Sequence, residues 1–249
     1  MMATLMMAKL KIWNRIPTSP RTCAVGAVLA ASVLLSACVS EVEGTAIRAQ
    51  GPGADLRSVP PLDEAMLDDI LLTISELNSI VGSTRMEVTS DLEEMTDHSA
   101  DVSDPDCLGA IYGAEDPVYE GTDWIAVRDQ VAREPDQDND HWVEQTAVLY
   151  PAAANAQDFF DSSSATWQDC ANEAIAVADG DYVWILDEVE VGDTMITQMA
   201  SQEDAGGWAC QHTLSLVSNL TVEVWACGYS IFDESVQIAS AMIENAAGQ

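Results

Sequence analysis

Lysine is nearly missing from this 249-residue chain: Lys9 and Lys11 are the only two, both close to the N-terminus. Arginine does little to compensate. Only Arg48, Arg57, Arg85, Arg128 and Arg133 follow Cys38, and all 42 acidic residues follow it too, so that part of the chain carries a net charge of −37. Such a field repels phosphate backbones and anionic headgroups, which argues against nucleic acid as a partner. The acidity reads as solubility beside a charged envelope or in salty surroundings.

Catalytic and metal motifs are missing as well. There is no Gly-x-Ser-x-Gly and no His-Glu-x-x-His, and His98, His141 and His212 are the whole histidine complement. No Cys-x-x-Cys pair occurs, and the histidines nearest the cysteines lack ligand spacing, so no metal and no cofactor is expected. The acidic stretch "DQDND" places Asp136, Asp138 and Asp140 at alternate positions, but His141 and Ala147 stand where an EF-hand loop needs glycine and a bidentate glutamate. The chain is not expected to be an enzyme. An unrecognised hydrolase using His141 as acid or base is the weaker alternative, since a hydrogen-bonded structural histidine is commoner.

What is present begins with an address. Lys9, Lys11, Arg15 and Arg21 precede the apolar run "AVGAVLAASVLL", Ala24 to Leu35, which is too short to span a bilayer comfortably. It ends in "LSAC", which resembles the lipobox of bacterial lipoproteins. Residues 1–37 are read as a lipoprotein signal peptide, with Cys38 becoming a lipid-bearing N-terminus on the extracytoplasmic face of the cell membrane. Several fatty acyl chains such as palmitate, at about 0.8 kcal/mol per buried methylene, make such an anchor effectively permanent. Residues 38–60 are rich in Gly, Pro and isolated charges, and read as a flexible tether. Residues 61–249 are then one domain large enough for a real core.

An exported domain with four cysteines favours two disulfides. The segment "WACQHTLSLVSNLTVEVWACG" is strand-like on both sides of Ser218-Asn219, a turn-forming pair. Folding about that turn sets Cys210 opposite Cys227. Cys107 follows Asp104, a predicted N-cap, and Pro105 at the first helical position. Cys170 ends a helical stripe of Ala156, Phe160, Ser163 and Trp167. A Cys107–Cys170 bridge would staple these two helices.

Thr73 and Glu76 form a capping box for a helix that stops at Gly82. The runs "TDWIAVRDQVAR", "HWVEQTAVLY", "DYVWILDEVEV" and "TMITQMAS" read as strands. The C-terminal run reads as an amphipathic helix capped by Asp233, with Val236, Ala239, Ile243 and Ala246 on one face. The expected fold is α+β, an antiparallel sheet flanked by helices. Asp129 and Glu223 break otherwise apolar faces, which predicts bulges or water-facing edges there.

The motifs "LLTISELNSIVG", "PDCLGAIY", "WIAVRDQVARE", "DNDHWVEQTAVLYP", "FFDSSSATWQDC", "GGWACQHTLSL" and "VWACGYS" come in an order that resembles the extracytoplasmic sensor domain of the mycobacterial serine/threonine kinase PknH and of stand-alone lipoproteins sharing it. The similarity runs from about Ile70 to the C-terminus, over the sensor domain alone. The resemblance implies an antiparallel sheet flanked by helices, two disulfides, and a V-shaped cleft for an unidentified ligand.

Trp124, Arg128, His141 and Trp142 are the candidate ligand-binding residues. Around the acidic loop they offer aromatic faces, a planar cation and a titratable donor to a small or envelope-derived ligand. Local satisfaction is the competing reading, with the arginines neutralising neighbouring acids and the tryptophans filling core. A structural or scaffolding lipoprotein without a ligand is the alternative function.

The anchor generates the first prediction. Cys38→Ala should abolish lipidation and move the protein out of the detergent phase on phase partitioning; a variant that still partitions with membranes would remove the lipid anchor from this reading.

Overall fold

In a computed structural model, residues 59–135 and 140–248 are described; the signal peptide, Cys38, most of the tether, and Asp136 and Asp138 lie outside them. The centre of the molecule is a hairpin of β8 (Ala209–Val217) and β9 (Leu220–Gly228). It folds about Ser218-Asn219 with Cys210 opposite Cys227, as their equal spacing from the turn predicts. Almost every residue of both strands is buried, because both faces of the hairpin are covered.

Around it runs an antiparallel sheet. To one side of β9 lie β3 (His141–Leu149), β2 (Ala126–Arg133) and β1 (Glu87–Leu92); beyond β8 lie β7 (Met195–Gln202), β5 (Tyr182–Leu186) and β4 (Ala174–Val177). The short β6 (Glu190–Val191) also pairs with β7. Strands β1 and β4, not anticipated from sequence, are the two ends of this order. The first is polar and shifts register between Val88 and Ser90, so it shows no clean alternation to read.

Alternation divides the core into two layers. On one face Val143, Ala147, Val222, Val224 and Ala226 pack against Ile238, Met242 and Ile243 of α6 (Glu234–Ala247) and against α1 (Leu67–Ile70) and α2 (Ile74–Val81). On the other face Leu214, Leu216 and Trp225 pack with Phe159, Phe160 and Trp167 of α5 (Ala153–Asp169), beside α3 (Leu108–Ile111) and α4 (Asp116–Tyr119).

The capping box of α2 is present, with Gly82 at φ 75° ending it in the left-handed region that favours glycine. Asp104 accepts from Asp106 N before a 3-10 turn that continues into α3. Helix α6 begins at the expected residue, but the Asp233 side chain accepts from Gln237 Nε2 at 2.9 Å instead of capping. Its buried face takes in Ser235, Ile238 and Met242, while Val236 lies only part-buried, a rotation set by Ser235 bonding Thr213 Oγ1 at 2.6 Å. Cys107–Cys170 and Cys210–Cys227 are both formed, with Cα separations of 5.8 and 3.9 Å. The bulges expected at Asp129 and Glu223 do not occur. Both residues stand in unbroken ladders, opposite Thr146 from either side, and are only 3% and 5% exposed.

The central turn also gathers the chain entering the domain. Asn219 accepts from Leu62 N at 2.7 Å and donates to Leu62 O at 3.1 Å and Tyr150 O at 2.8 Å, all in buried surroundings. Asn219→Ala strands these backbone groups and should cost about 1–3 kcal/mol, read as a lower urea midpoint with unchanged slope.

Candidate functional site

The face that carries α5 also carries a cavity. Along β8 and β9 from the turn, the Leu216 and Leu214 side chains enter the core, His212 lies against Trp167, and Cys210 and Cys227 line open space. Helix α5 therefore covers only part of the hairpin. The remainder is a cavity of about 730 Å³. Ser90 of β1 and Val177 of β4 both line it, although they come from opposite ends of the strand order. Only a sheet curled across this face brings them together.

The walls are aromatic: Tyr112, Trp142, Tyr182, Trp184, Trp208 and Trp225 all contribute. Glu115, Asp129 and Glu144 supply carboxyls, and no arginine among the described residues lines the cavity. Glu115 is held from above. It accepts from Thr96 Oγ1 at 2.9 Å and from His98 N at 2.6 Å, and meets His98 Nδ1 at 2.5 Å, while the His98 ring stacks on Tyr112 at 4.8 Å.

Asp129 takes a 2.6 Å hydrogen bond from Thr146 Oγ1 and another from the Glu144 carboxyl. Burial pushes the Asp129 carboxyl above its ordinary range, with the Thr146 bond pulling against it. Burial also pushes Glu144 well up, and the negative charge of Asp129 adds to the effect. The two carboxyls meet in a hydrogen bond with Glu144 as donor, and burial disfavours charge on both.

Behind this floor Glu223 Oε1 meets His212 Nε2 at 2.7 Å and Oε2 accepts from Tyr119 Oη at 3.1 Å. Burial raises the Glu223 carboxyl to about 8 and lowers His212 well below its ordinary value. Burial thus favours the neutral form of each, an acid–imidazole hydrogen bond in place of an ion pair. His212 sits between the rings of Trp167 and Trp225, each with its centroid 3.9 Å away.

Of the four sequence-predicted ligand residues, Trp142 lines this cavity. Trp124 precedes β2 and packs against the same apolar cluster without lining the cavity. Arg128 and His141 alternate with Asp129 and Trp142 along their strands, so they belong to the opposite face. Arg128 Nε pairs there with Asp68 Oδ1 at 2.6 Å and its terminal nitrogen with Glu93 at 3.5 Å. His141 is occupied by Glu134, 2.7 Å from Nδ1. Both side chains therefore have local partners on the face away from the cavity. The signal for the actual lining was Asp129 itself, an acid on an apolar strand face.

The disulfide-stapled α+β fold is that of an extracellular domain. Residues 62–245 match the PknH-like extracellular domain, and the chain belongs to that family. It is 36% identical over 186 residues to the serine/threonine-protein kinase PknH of Mycobacterium bovis and of Mycobacterium tuberculosis, an alignment covering 74% of this chain. The chain spans only about a third of those kinases, 31% and 30% of their lengths. The crystal structure of the extracellular domain of PknH from Mycobacterium tuberculosis superposes with a TM-score of 0.73 at 35% identity, over 76% of this chain and 99% of that one.

Glu223 makes folding stability depend on pH. Its folded-state value lies above the unfolded one, so the folded chain holds that proton more tightly. The stability gained is whole below about pH 4.5 and fades as pH climbs towards about 8. Glu223→Gln keeps an amide that can satisfy His212 and Tyr119 but cannot ionise. Compared by denaturation at about pH 5 and about pH 8, the difference should move in favour of the variant by at most about 1.4 kcal/mol per pH unit. A constant difference would show that the carboxyl titrates normally.

Proposed function

We propose that this protein is a cell-envelope lipoprotein whose PknH-like extracellular domain binds a small molecule in the aromatic cavity, held at the extracytoplasmic face of the membrane through Cys38. The cavity carries the reading. At about 730 Å³ it has the size of small-molecule sites. Its lining combines six aromatic side chains with placed polar groups, which is how such sites combine affinity with orientation. The anchor rests on "LSAC" and on the family, whose members are extracellular domains. Among the described residues no helix is long and apolar enough to cross a membrane.

We read the role as binding, on the strength of the cavity. The three histidines each face a glutamate, His98 with Glu115, His141 with Glu134 and His212 with Glu223, and an unrecognised hydrolase is the weaker alternative.

Native mass spectrometry of the protein from its own host tests the reading by revealing a retained small molecule. Trp142→Ala removes part of the wall and should weaken that ligand by about 1–2 kcal/mol, whereas Arg128→Ala, on the other face, should leave it unchanged. No adduct in the native spectrum, together with no thermal shift across a metabolite panel, would favour a scaffolding lipoprotein without a ligand.

A further inference from the structure

The composition of the cavity narrows its occupant, given the ligand-binding reading above. Trp142, Trp184, Trp208 and Trp225 surround the space, and an indole face carries the negative side of the ring quadrupole. A cation close to such rings is attracted, and the attraction strengthens where water is excluded. The charged groups have the same sign preference. Glu115, Asp129 and Glu144 line the cavity without an arginine among them, and the imidazole of His98 is engaged by Glu115. An anionic ligand would enter a site with carboxyls on its floor and no fixed cation to receive it.

A bare metal ion is the other cation to weigh. Among the described residues no group of three or more His, Cys, Asp or Glu side chains is placed to hold one. Trp225 adds a polar feature to the wall: it is 5% exposed and its Nε1 has no hydrogen-bond partner among the described residues. A buried indole N–H of this kind needs an acceptor, which a ligand or a water can supply. We propose that the cavity binds an organic cation, an ammonium or substituted ammonium group on an apolar body that also carries an acceptor, with the charge over the Asp129–Glu144 pair and the body among the tryptophans.

The pair makes binding depend on pH. Asp129 of β2 and Glu144 of β3 line the cavity floor together, and burial favours the protonated form of each; a bound cation favours the ionised form, so a proton leaves to solvent as the cation enters. The surrounding titratable groups are Asp91 of β1, Glu223 of β9, Glu115 and His98 above, Tyr112 and Tyr182 in the walls, and Tyr119 and His212 behind. Rising pH ionises the Asp129–Glu144 pair, which favours a cation.

Three probes sharing one indole body separate the charge from the body: tryptamine, its neutral alcohol tryptophol, and the anion indole-3-propionate. Titrated calorimetrically into the full-length protein in detergent at about pH 8, tryptamine should bind about tenfold or more tighter than tryptophol, with indole-3-propionate weakest. Its affinity should rise between about pH 5 and about pH 8, with net proton release seen as a buffer-dependent heat. Glu144→Gln should erase most of the preference for tryptamine while leaving tryptophol binding intact, which a misfolded variant would not do. Equal binding of tryptamine and tryptophol, or preference for indole-3-propionate, would overturn the cation assignment and leave the ligand cavity standing. Binding of none of the three overturns the cation assignment, and only an empty native mass spectrum extends that failure to the cavity itself.

Discussion

Two-sided burial of the β8–β9 hairpin is the constraint from which the architecture follows. A hairpin whose residues are nearly all buried has to be covered on both faces, and among the described residues only two long helices, α5 and α6, are there to do so. Helix α6 lies along one face, where Ala147, Ala226 and other small or branched side chains allow close approach. Helix α5 covers the turn-proximal part of the other and ends at Cys170, which is bridged to Cys107. Beyond that end the hairpin is still apolar, with Trp225 and the Cys210–Cys227 bridge facing the space that remains. The cavity is thus the stretch of two-sided strand that neither long helix covers, bordered by Ile111 at the end of α3 and by the outer strands.

The second constraint is charge. Five arginines against 42 acids beyond Cys38 cannot neutralise the chain by ion pairing, so most acids must be hydrated. The pairs that do form are modest: Arg128 holds Asp68 and Glu93, whose side chains are 75% and 74% exposed, and exposed pairs of this kind contribute little. They position α1 over β2 more than they stabilise it. Inside, a different solution operates. Asp129, Thr146 and Glu223 lie side by side on adjacent strands, and their hydrogen bonds come from hydroxyls, an imidazole and one another, without a guanidinium. Protonation takes the place of pairing.

Much of the scaffold was legible because it is encoded locally. Cys210 and Cys227 stand at equal distances from Ser218-Asn219, so any hairpin about that turn must oppose them, and the Thr73–Glu76 box with Gly82 marks both ends of α2. The site was not legible in the same way, since its members come from strands at opposite ends of the sheet. Sequence proximity grouped His141 with Trp142, although adjacent strand residues point to opposite faces, and it placed Arg128 beside them for its charge. Asp129 and Glu223 were correctly singled out as anomalies, but the expected remedy was exposure. The actual remedy depends on Tyr119, 104 residues from Glu223 in sequence, and on His212 in the opposing strand. Neither partnership can be read before the register is known.

Those carboxyls also bear on what the fold is for. An apolar side chain at Asp129 or Glu144 would suit the surrounding walls and would avoid the cost of desolvating an acid, a cost visible in how far burial drives these groups towards their neutral forms. Two disulfides and a sheet packed on both faces supply stability enough to carry that burden. Hydrogen bonding within the floor satisfies the acids without making them advantageous to folding, because an apolar replacement would have nothing to satisfy. Groups that cost stability and line an open cavity are of the kind found at functional sites, which is the ground for the proposed binding role. Burial favours their neutral forms, so an opposite charge brought against them would favour the ionised ones.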